Sequence, residues 1–414
     1  RDTFNAWLSS LPINVEMLLE NPCREINASQ NGKEKQYSQV TFIGTGTLGS
    51  NIIDHFVREG ISYSICIVDF DIYFSHNISR HILQPRDIMK PKASCIKKHF
   101  EGIVGTKIWS IDKNVMCLSP NEEKAALDNT DLIVDASTSI AVERKLALSS
   151  KYEGKRKCTL FLNPKGNDLV LLLEDANGEQ RLDLLEMSYQ YNLIKSDTLA
   201  NHLDTAELRK TNNFSCRSES NVLDYDNVGM LASVASQQIQ RATSNTDCQL
   251  GIWRVNDKDS TISKINLDVL SWNVKVINTI SVYYSKELVA EIDKYRNSDL
   301  RKETGGCLFG CYDKDARNIY VFYQHHAPKD SKCSATFFER GCNGMNEVLD
   351  KINKRTYHQV RYLGEWHSHP NACCSPSSLD KEQFTKMSEQ MSDEDLPFVQ
   401  LIMGTNGIYL NAIM

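Results

Sequence analysis

The chain has 414 residues, 41% hydrophobic and 24% charged, with a net charge of −6. That length exceeds one ordinary core and calls for two or three domains, and the acidic balance gives no global pull toward nucleic acid or anionic membrane. No apolar run approaches ~18 residues, so no membrane span is expected, and thirteen cysteines without a C-x-x-C pair read as reduced thiols of a cytoplasmic protein rather than a disulfide framework or a four-cysteine zinc site.

In chain order, residues 1–36 form an extension of unclear role, in which FNAWLSSLP reads as a short helix and NASQNGKEKQ as a polar loop. VTFIGTG, from Val40, is an apolar strand running into glycines. In TLGSNIIDHFVREG, Leu48, Ile52, Ile53, Phe56 and Val57 share one helical face, closed by Gly60. YSICIVDFD and DLIVDAS are further buried strands, and strands alternating with helices imply a parallel, doubly wound sheet. TLFLNPKGNDLVLLLED is two strands about a Lys-Gly-Asn turn, residues 187–222 are polar and loop-like, and NVGMLASVASQQIQRA is a helix. GIWRVNDKDSTISKINLDVLSW reads as strand, turn and strand. From about Asn278 a new α/β unit starts, with SKELVAEIDKYRN and NEVLDKINKR as helices and GGCLFGCY, NIYVFYQ and RYLGEWHSHP as strands. The expected division is 1–36, 37–277 and 278–414.

GTGTLG places Gly44, Gly46 and Gly49 in G-x-G-x-x-G spacing, which lets backbone approach a phosphate at a helix N-terminus. Asp69 lies 20 residues beyond Gly49, at the end of the second strand, where a ribose-binding carboxylate belongs. A dinucleotide dehydrogenase is the first alternative. The following stretch, DFDIYFSHNISRHILQPRDIMKPK, argues against it. Asp69 and Asp71 suit a ribose and a magnesium ion, and Asn77, Arg80 and Lys92 can surround a triphosphate and hold the charge that develops as pyrophosphate leaves. Hydride transfer has no need of that basic set.

This ordered pattern resembles the adenylation domain of the ThiF/MoeB and ubiquitin-activating enzyme family, with a Rossmann-like fold. The resemblance implies ATP-dependent adenylation of the C-terminal glycine of a ubiquitin-like protein. By the match, Asp69 binds ribose, Asp71 and Asn77 lie near the metal and phosphates, and Arg80 and Lys92 bind phosphates. The family's D-x-T-D-N appears here as DASTS, so Asp135 fills the first position and Thr138 stands at the second; magnesium then relies on Asp71, Asp135 or water. The family also implies a homodimer through this domain and a thioester cysteine. The candidate is Cys216, in a polar stretch beside Arg217, since a nearby cation and an exposed loop favour the thiolate. Cys158, Cys23, Cys66 and Cys95 read as packing residues.

In GEWHSHPNACCSPSSLD, His367, His369 and Asp380 are three zinc-ligand types that leave a fourth position for water. On a strand, residues two apart point the same way, so the two imidazoles can converge. Asp380 comes from the start of a capped helix, Ser377 stands by as hydroxyl donor to an oxyanion, and Glu303, in ETGGCLFG, supplies the base. The arrangement E…H-S-H-P-x(6)-S-x-x-D resembles the JAB/JAMM (MPN-type) metalloproteases over roughly 278–414, implying a smaller, cytidine-deaminase-like α/β domain. The resemblance gives His367, His369 and Asp380 to zinc, Glu303 to acid/base work and Ser377 to the tetrahedral intermediate, and it implies cleavage after the C-terminal glycine of a ubiquitin-like protein.

The expected whole is a bifunctional enzyme using ATP, Mg2+ and Zn2+, acting on a ubiquitin-like or sulfur-carrier protein and working with a conjugating enzyme. Such fusions resemble components of bacterial ubiquitin-like conjugation operons, some of them antiviral. Two alternatives stand beside it: sulfur-carrier activation with a processing peptidase, and a scaffold whose nucleotide and zinc sites are structural.

Overall fold

The computed structural model describes residues 2–10, 23–33, 36–101, 105–204 and 223–414. Two sheets organise it. The first contains β1 (Tyr37–Ile43), β2 (Ser62–Val68), β3 (Lys107–Ile111), β4 (Leu132–Asp135), β5 (Arg156–Leu162), β6 (Asp168–Leu173), β7 (Gln249–Val255) and β8 (Ile262–Asn266). Their spatial order is β3-β2-β1-β4-β5-β6-β7-β8. The first five run parallel and the last three antiparallel. Near-continuous apolar runs such as Ile65–Val68 and Leu132–Val134 are fully buried, as strands covered by helices on both faces must be.

The helices are α1 (Asp2–Ser10), α2 (Arg24–Gln30), α3 (Thr47–Arg58), α4 (Lys92–His99), α5 (Pro120–Glu123), α6 (Ile140–Leu148), α7 (Leu182–Lys195), α8 (Tyr225–Arg241), α9 (Lys286–Ser298), α10 (Met345–Thr356) and α11 (Ser378–Asp393). Helix α3 buries Leu48, Ile52, Ile53, Phe56 and Val57 against β1 and α8, as its periodicity requires. The polar loop expected at NASQ is the end of α2. This short helix escapes pattern recognition because it is held by close approach: a Cβ on Gly60 would lie 2.5 Å from the Arg24 carbonyl, and the Arg24 guanidinium stacks on Tyr63 at 3.5 Å.

The second sheet contains β9 (Trp272–Ile277), β10 (Ile280–Ser285), β11 (Gly305–Asp313), β12 (Asn318–His326), β15 (Arg361–Ser368), β16 (Phe398–Gly404) and β17 (Gly407–Ile413), in the order β17-β16-β15-β11-β12-β10-β9. A separate hairpin joins β13 (Lys332–Ser334) to β14 (Phe337–Glu339). Strand β9 pairs with β10, so this sheet starts at Trp272, ahead of the boundary expected at 278.

The loop expected over 187–222 is instead, in its first part, helix α7. It lies between the two sheets and is buried nearly all round. Leu182, Leu185, Tyr189 and Leu193 pack into the first unit. Leu184, Met187 and Ile194 pack with Phe309, Tyr320, Phe322 and Ile352 of the second. A helix buried on both sides has no amphipathic stripe, which is why its sequence lacks a period. Among the described residues, no helix is long and apolar enough to cross a membrane.

Candidate functional site

Strand β15 carries His367 and leads into His369. Its register against β11 slips between Leu308 and Phe309, leaving Leu363 as the extra residue of a bulge. Gly364 follows at φ 150°, and a Cβ there would lie 1.9 Å from the Val399 carbonyl, so this turn of the strand admits only glycine. Beyond it Trp366 turns into the core and His367 into a cleft of about 500 Å3. His369, just past the strand, is fixed from both sides. Its amide donates to the Met403 carbonyl at 2.8 Å, and Arg296 of α9 donates to the carbonyls of His369 and Pro370 at 3.1 and 2.7 Å.

Ser377 is the N-cap of α11 and Asp380 its third residue. The Asp380 amide donates to Ser377 Oγ at 3.2 Å, and the Ser377 amide donates to Asp380 Oδ2 at 2.7 Å. The same reciprocal cap that starts the helix thus aims the carboxylate into the cleft. His367 Nε2 lies 3.2 Å from Asp380 Oδ1, and His369 Nε2 lies 3.6 Å from Asp380 Oδ2. Ligand atoms of the three residues lie within 4.8 Å of one another. His369 donates through Nδ1 to the Cys373 carbonyl at 2.7 Å, which leaves a lone pair on Nε2. His367 Nε2 is buried without a hydrogen-bond partner. An orphaned imidazole nitrogen facing a second imidazole and a carboxylate is the donor set a zinc ion fits.

Glu303 lines the same cleft. Ser368, between the histidines, holds it there: its amide donates to the Thr304 carbonyl at 2.7 Å, and its hydroxyl accepts from the Thr304 amide at 3.1 Å. Burial pushes the Glu303 carboxyl above its ordinary range, against the pull of the two imidazoles. Burial would also raise Asp380, but the His367 contact and the Ser377 hydrogen bonds outweigh it and hold that carboxyl far below the usual range.

The second cavity, about 630 Å3, opens where the strand order of the first sheet reverses between β1 and β4. Gly44, Gly46, Asp69 and Asp71 line it. Gly44 has φ 85°, and a Cβ there would lie 2.7 Å from Ser137 backbone; a Cβ on Gly46 would meet nothing within 4 Å, so that glycine borders open space at the N-terminus of α3. This is the cradle an anion needs. Gly49 serves packing instead, with its Cβ position 2.3 Å from the Gly44 carbonyl.

Asp69 holds the glycine loop: Oδ2 accepts from the Thr45 amide at 2.6 Å and hydroxyl at 2.5 Å, and Oδ1 from the Asp71 amide at 2.8 Å. Asn77, Arg80 and Lys92 do not line the cavity. Asn77 accepts from the Phe74 amide at 3.0 Å, and Lys92 pairs with Asp71 at 3.1 Å. Asp135 is buried beside the lining residues Ala136–Ser139, with Oδ1 accepting from the Ser137 amide and Oδ2 without a partner; burial pushes it up to about 6. Thr138 takes a positive φ of 59°. Cys216 lies outside the described residues.

Four contributors had no signal in the sequence. His81 donates through Nε2 to the Thr45 carbonyl at 2.7 Å and braces the glycine loop from behind. Asn163 reaches the nucleotide-type cavity from the β5–β6 turn. Phe337 and Phe338, on the hairpin, wall the metal cleft.

Residues 24–159 match the ThiF family, and residues 285–410 match the family of prokaryotic homologs of the JAB domain. The chain is 32% identical over 102 residues to the CD-NTase/cGAS isopeptidase of Enterobacter hormaechei subsp. hoffmannii (strain UCI 50), a match covering 25% of this chain and 55% of that one. It is 25% identical over 139 residues to the CD-NTase/cGAS isopeptidase of Pseudomonas aeruginosa (strain BWHPSA011 / Pa011), covering 33% and 85%. It is 27% identical over 134 residues to the ATP-dependent ubiquitin transferase-like protein Cap2 of the same strain, covering 31% and 23%. The chain thus spans about half of the first relative and under a quarter of the third. One polypeptide therefore carries a segment that matches the ThiF family and a segment that matches prokaryotic homologs of the JAB domain.

Proposed function

We propose that this protein is a bifunctional enzyme of a ubiquitin-like modification pathway, adenylating the C-terminal glycine of a small carrier protein in the nucleotide-type cavity and hydrolysing bonds to that glycine in the cleft of His367, His369 and Asp380. What supports it most is the metal cleft, where two imidazoles and a carboxylate converge with an orphaned His367 nitrogen and Glu303 lines the same space. The similarity to relatives named as an isopeptidase and as a ubiquitin transferase-like protein supports the same reading.

In the nucleotide-type cavity, the N-terminus of α3 and the backbone about Gly46 favour the phosphates of ATP, and Asp69 presents remaining lone pairs to the ribose. Asp71 and Asp135 are the carboxylates for magnesium. Arg80 and Lys92 serve the departing pyrophosphate as the carrier carboxylate becomes an acyl adenylate. Cys216 is the proposed acceptor for a thioester. Exposed apolar residues in the segment between β2 and α4, among them Phe74, Ile78 and Met89, support pairing with a second copy.

In the cleft, His367, His369 and Asp380 would hold zinc, which supplies Lewis acidity and lowers the pKa of water. Glu303 takes a proton from the attacking water as the new C–O bond forms, then delivers it to the leaving amine as the C–N bond breaks. The Ser377 hydroxyl accepts from the Asp380 amide, and its own proton is available to the oxyanion.

Three variants separate the parts. Asp69→Ala is expected to lose binding of a non-hydrolysable ATP analogue by calorimetry while keeping zinc. His367→Ala should lose zinc by metal analysis and cleavage of a Gly-Gly-centred peptide, but keep the nucleotide. Glu303→Gln should keep both and lose turnover. Normal nucleotide affinity in Asp69→Ala, or cleavage untouched by a chelator, contradicts the corresponding half.

A further inference from the structure

We infer that Glu365 is a specificity-determining group of the peptidase cleft and takes a basic side chain of the substrate two residues from the scissile bond. This rests on the peptidase function proposed above. Three carboxylates line the cleft, those of Glu303, Glu365 and Asp380, and no Lys or Arg among the described residues does. Asp380 is committed to the metal position and Glu303 to the proton. Glu365 has no part in either.

Its placement follows from the strand. In the β11–β15 ladder, Gly305 faces His367 and Cys307 faces Glu365, so Glu365 stands two residues before His367 on the same face, about 7 Å away. An extended peptide rises about 3.3 Å per residue, so that distance is reached by the second residue from the scissile bond. The carboxylate is held in one orientation. Oε1 accepts from Arg340 Nε at 2.7 Å and from the Tyr362 hydroxyl at 3.3 Å. Among the described residues Oε2 has only the Gln383 amide of α11, at 3.4 Å, and so keeps acceptor capacity. Arg340 itself does not line the cleft, so the acidic side of the pair faces the substrate. Phe337 and Phe384 line the same space, apolar walls against which the methylenes of a Lys or Arg can lie.

The test uses the full zinc-loaded chain and synthetic dye-labelled peptides with a Gly-Gly scissile centre, carrying Lys or Gln two residues before or two residues after the cleaved bond. The unmodified protein is expected to favour Lys over Gln at one of those positions by about ten- to hundredfold in kcat/KM, the range of a charge-assisted hydrogen bond. Glu365→Gln should bring the ratio close to one with zinc content unchanged, and Glu365→Asp should keep part of the preference. Peptide affinities of Glu303→Gln, measured by fluorescence anisotropy, should show the same preference without turnover. Equal treatment of Lys and Gln at both positions, or a preference that survives Glu365→Gln, overturns the assignment while leaving the peptidase intact. Failure to cleave or bind any of the peptides removes the peptidase function, and Glu365 with it.

Discussion

His81 lies behind the glycine loop, 6% exposed, with Nε2 donating to Thr45 and Nδ1 accepting from the Leu83 amide at 3.2 Å. Burial brings its pKa down from 6.5 to about 4, with Lys92 pushing the same way and the Thr45 hydrogen bond opposing. In the unfolded chain the ring takes its proton first as pH falls. Its contribution to stability is therefore complete above pH 6.5 and is lost between there and about 4, amounting to roughly 3 kcal/mol. Asp135 works with the opposite sign, since burial raises it from 3.8 to about 6 and its favourable term disappears as pH rises through that interval. Comparing His81→Gln with the unmodified protein isolates the histidine: urea midpoints measured from pH 7 to 4 should fall less steeply in the variant, and identical slopes refute this account. His81 carried no signal in SRHILQ because a lone histidine has no pattern. The metal-ligand types were legible for the opposite reason. Period-two spacing on a strand and a Ser-x-x-Asp helix start are local rules, and local rules fix where His367, His369 and Asp380 point. Glu365 was not legible, because its partners Arg340 and Gln383 come from the hairpin and from α11.

Among the elements, α3 and α7 mark the two limits of sequence reading. Helix α3 has one wet face, so its apolar positions are spaced by the helix itself and the glycine loop could be placed at its start. Helix α7 has two dry faces, and only the arrangement of the sheets reveals it. Polar residues inside α7 are accounted for by tertiary bonds: the Ser188 hydroxyl donates to the Leu184 carbonyl at 2.9 Å and accepts from the Leu270 amide at 3.1 Å, and Asn192 donates to the Asp268 carbonyl at 2.8 Å. Such side chains read as loop residues when their partners are 76 and 82 positions away. Leu185 faces the first unit and Met187 the second, both essentially inaccessible. Leu185→Ala and Met187→Ala should therefore each cost about 2–5 kcal/mol, read from denaturation midpoints at unchanged m value. A helix with a solvent-facing side would make one of the two nearly silent, within about 0.5 kcal/mol.

At the scale of the whole chain, α7 and its surroundings join the two units into one body. Tyr320 of β12 donates to Asp183 Oδ2 at 2.8 Å, and Arg181 grips the same carboxylate at 3.0 and 2.8 Å. Arg355 of α10 donates to the Ile194 carbonyl at 2.7 Å and pairs with Asp197. Arg144, on the helix that follows the wall of the nucleotide-type cavity, pairs with Glu186 of α7 and reaches Asp313 at 3.8 Å. Asp313 ends β11 and Glu303 precedes its start, so nine residues of strand, about 30 Å, separate this junction from the metal cleft. The two cavities share no lining residue. Under the proposed function, a carrier protein leaves one site before it enters the other, and the junction acts as a rigid spacer. A spacer built on a shared core implies shared unfolding. The unmodified chain should melt in one calorimetric transition, with amides of β1 and β15 protected from exchange to similar free energies. Tyr320→Phe leaves the buried Asp183 short of a donor, a cost of about 1–3 kcal/mol. Combined with Arg355→Ala it should split the melt in two, with the strands of each sheet exchanging at separate levels. Two transitions already present in the unmodified chain would show that the units fold apart and that α7 is a linker rather than a common core.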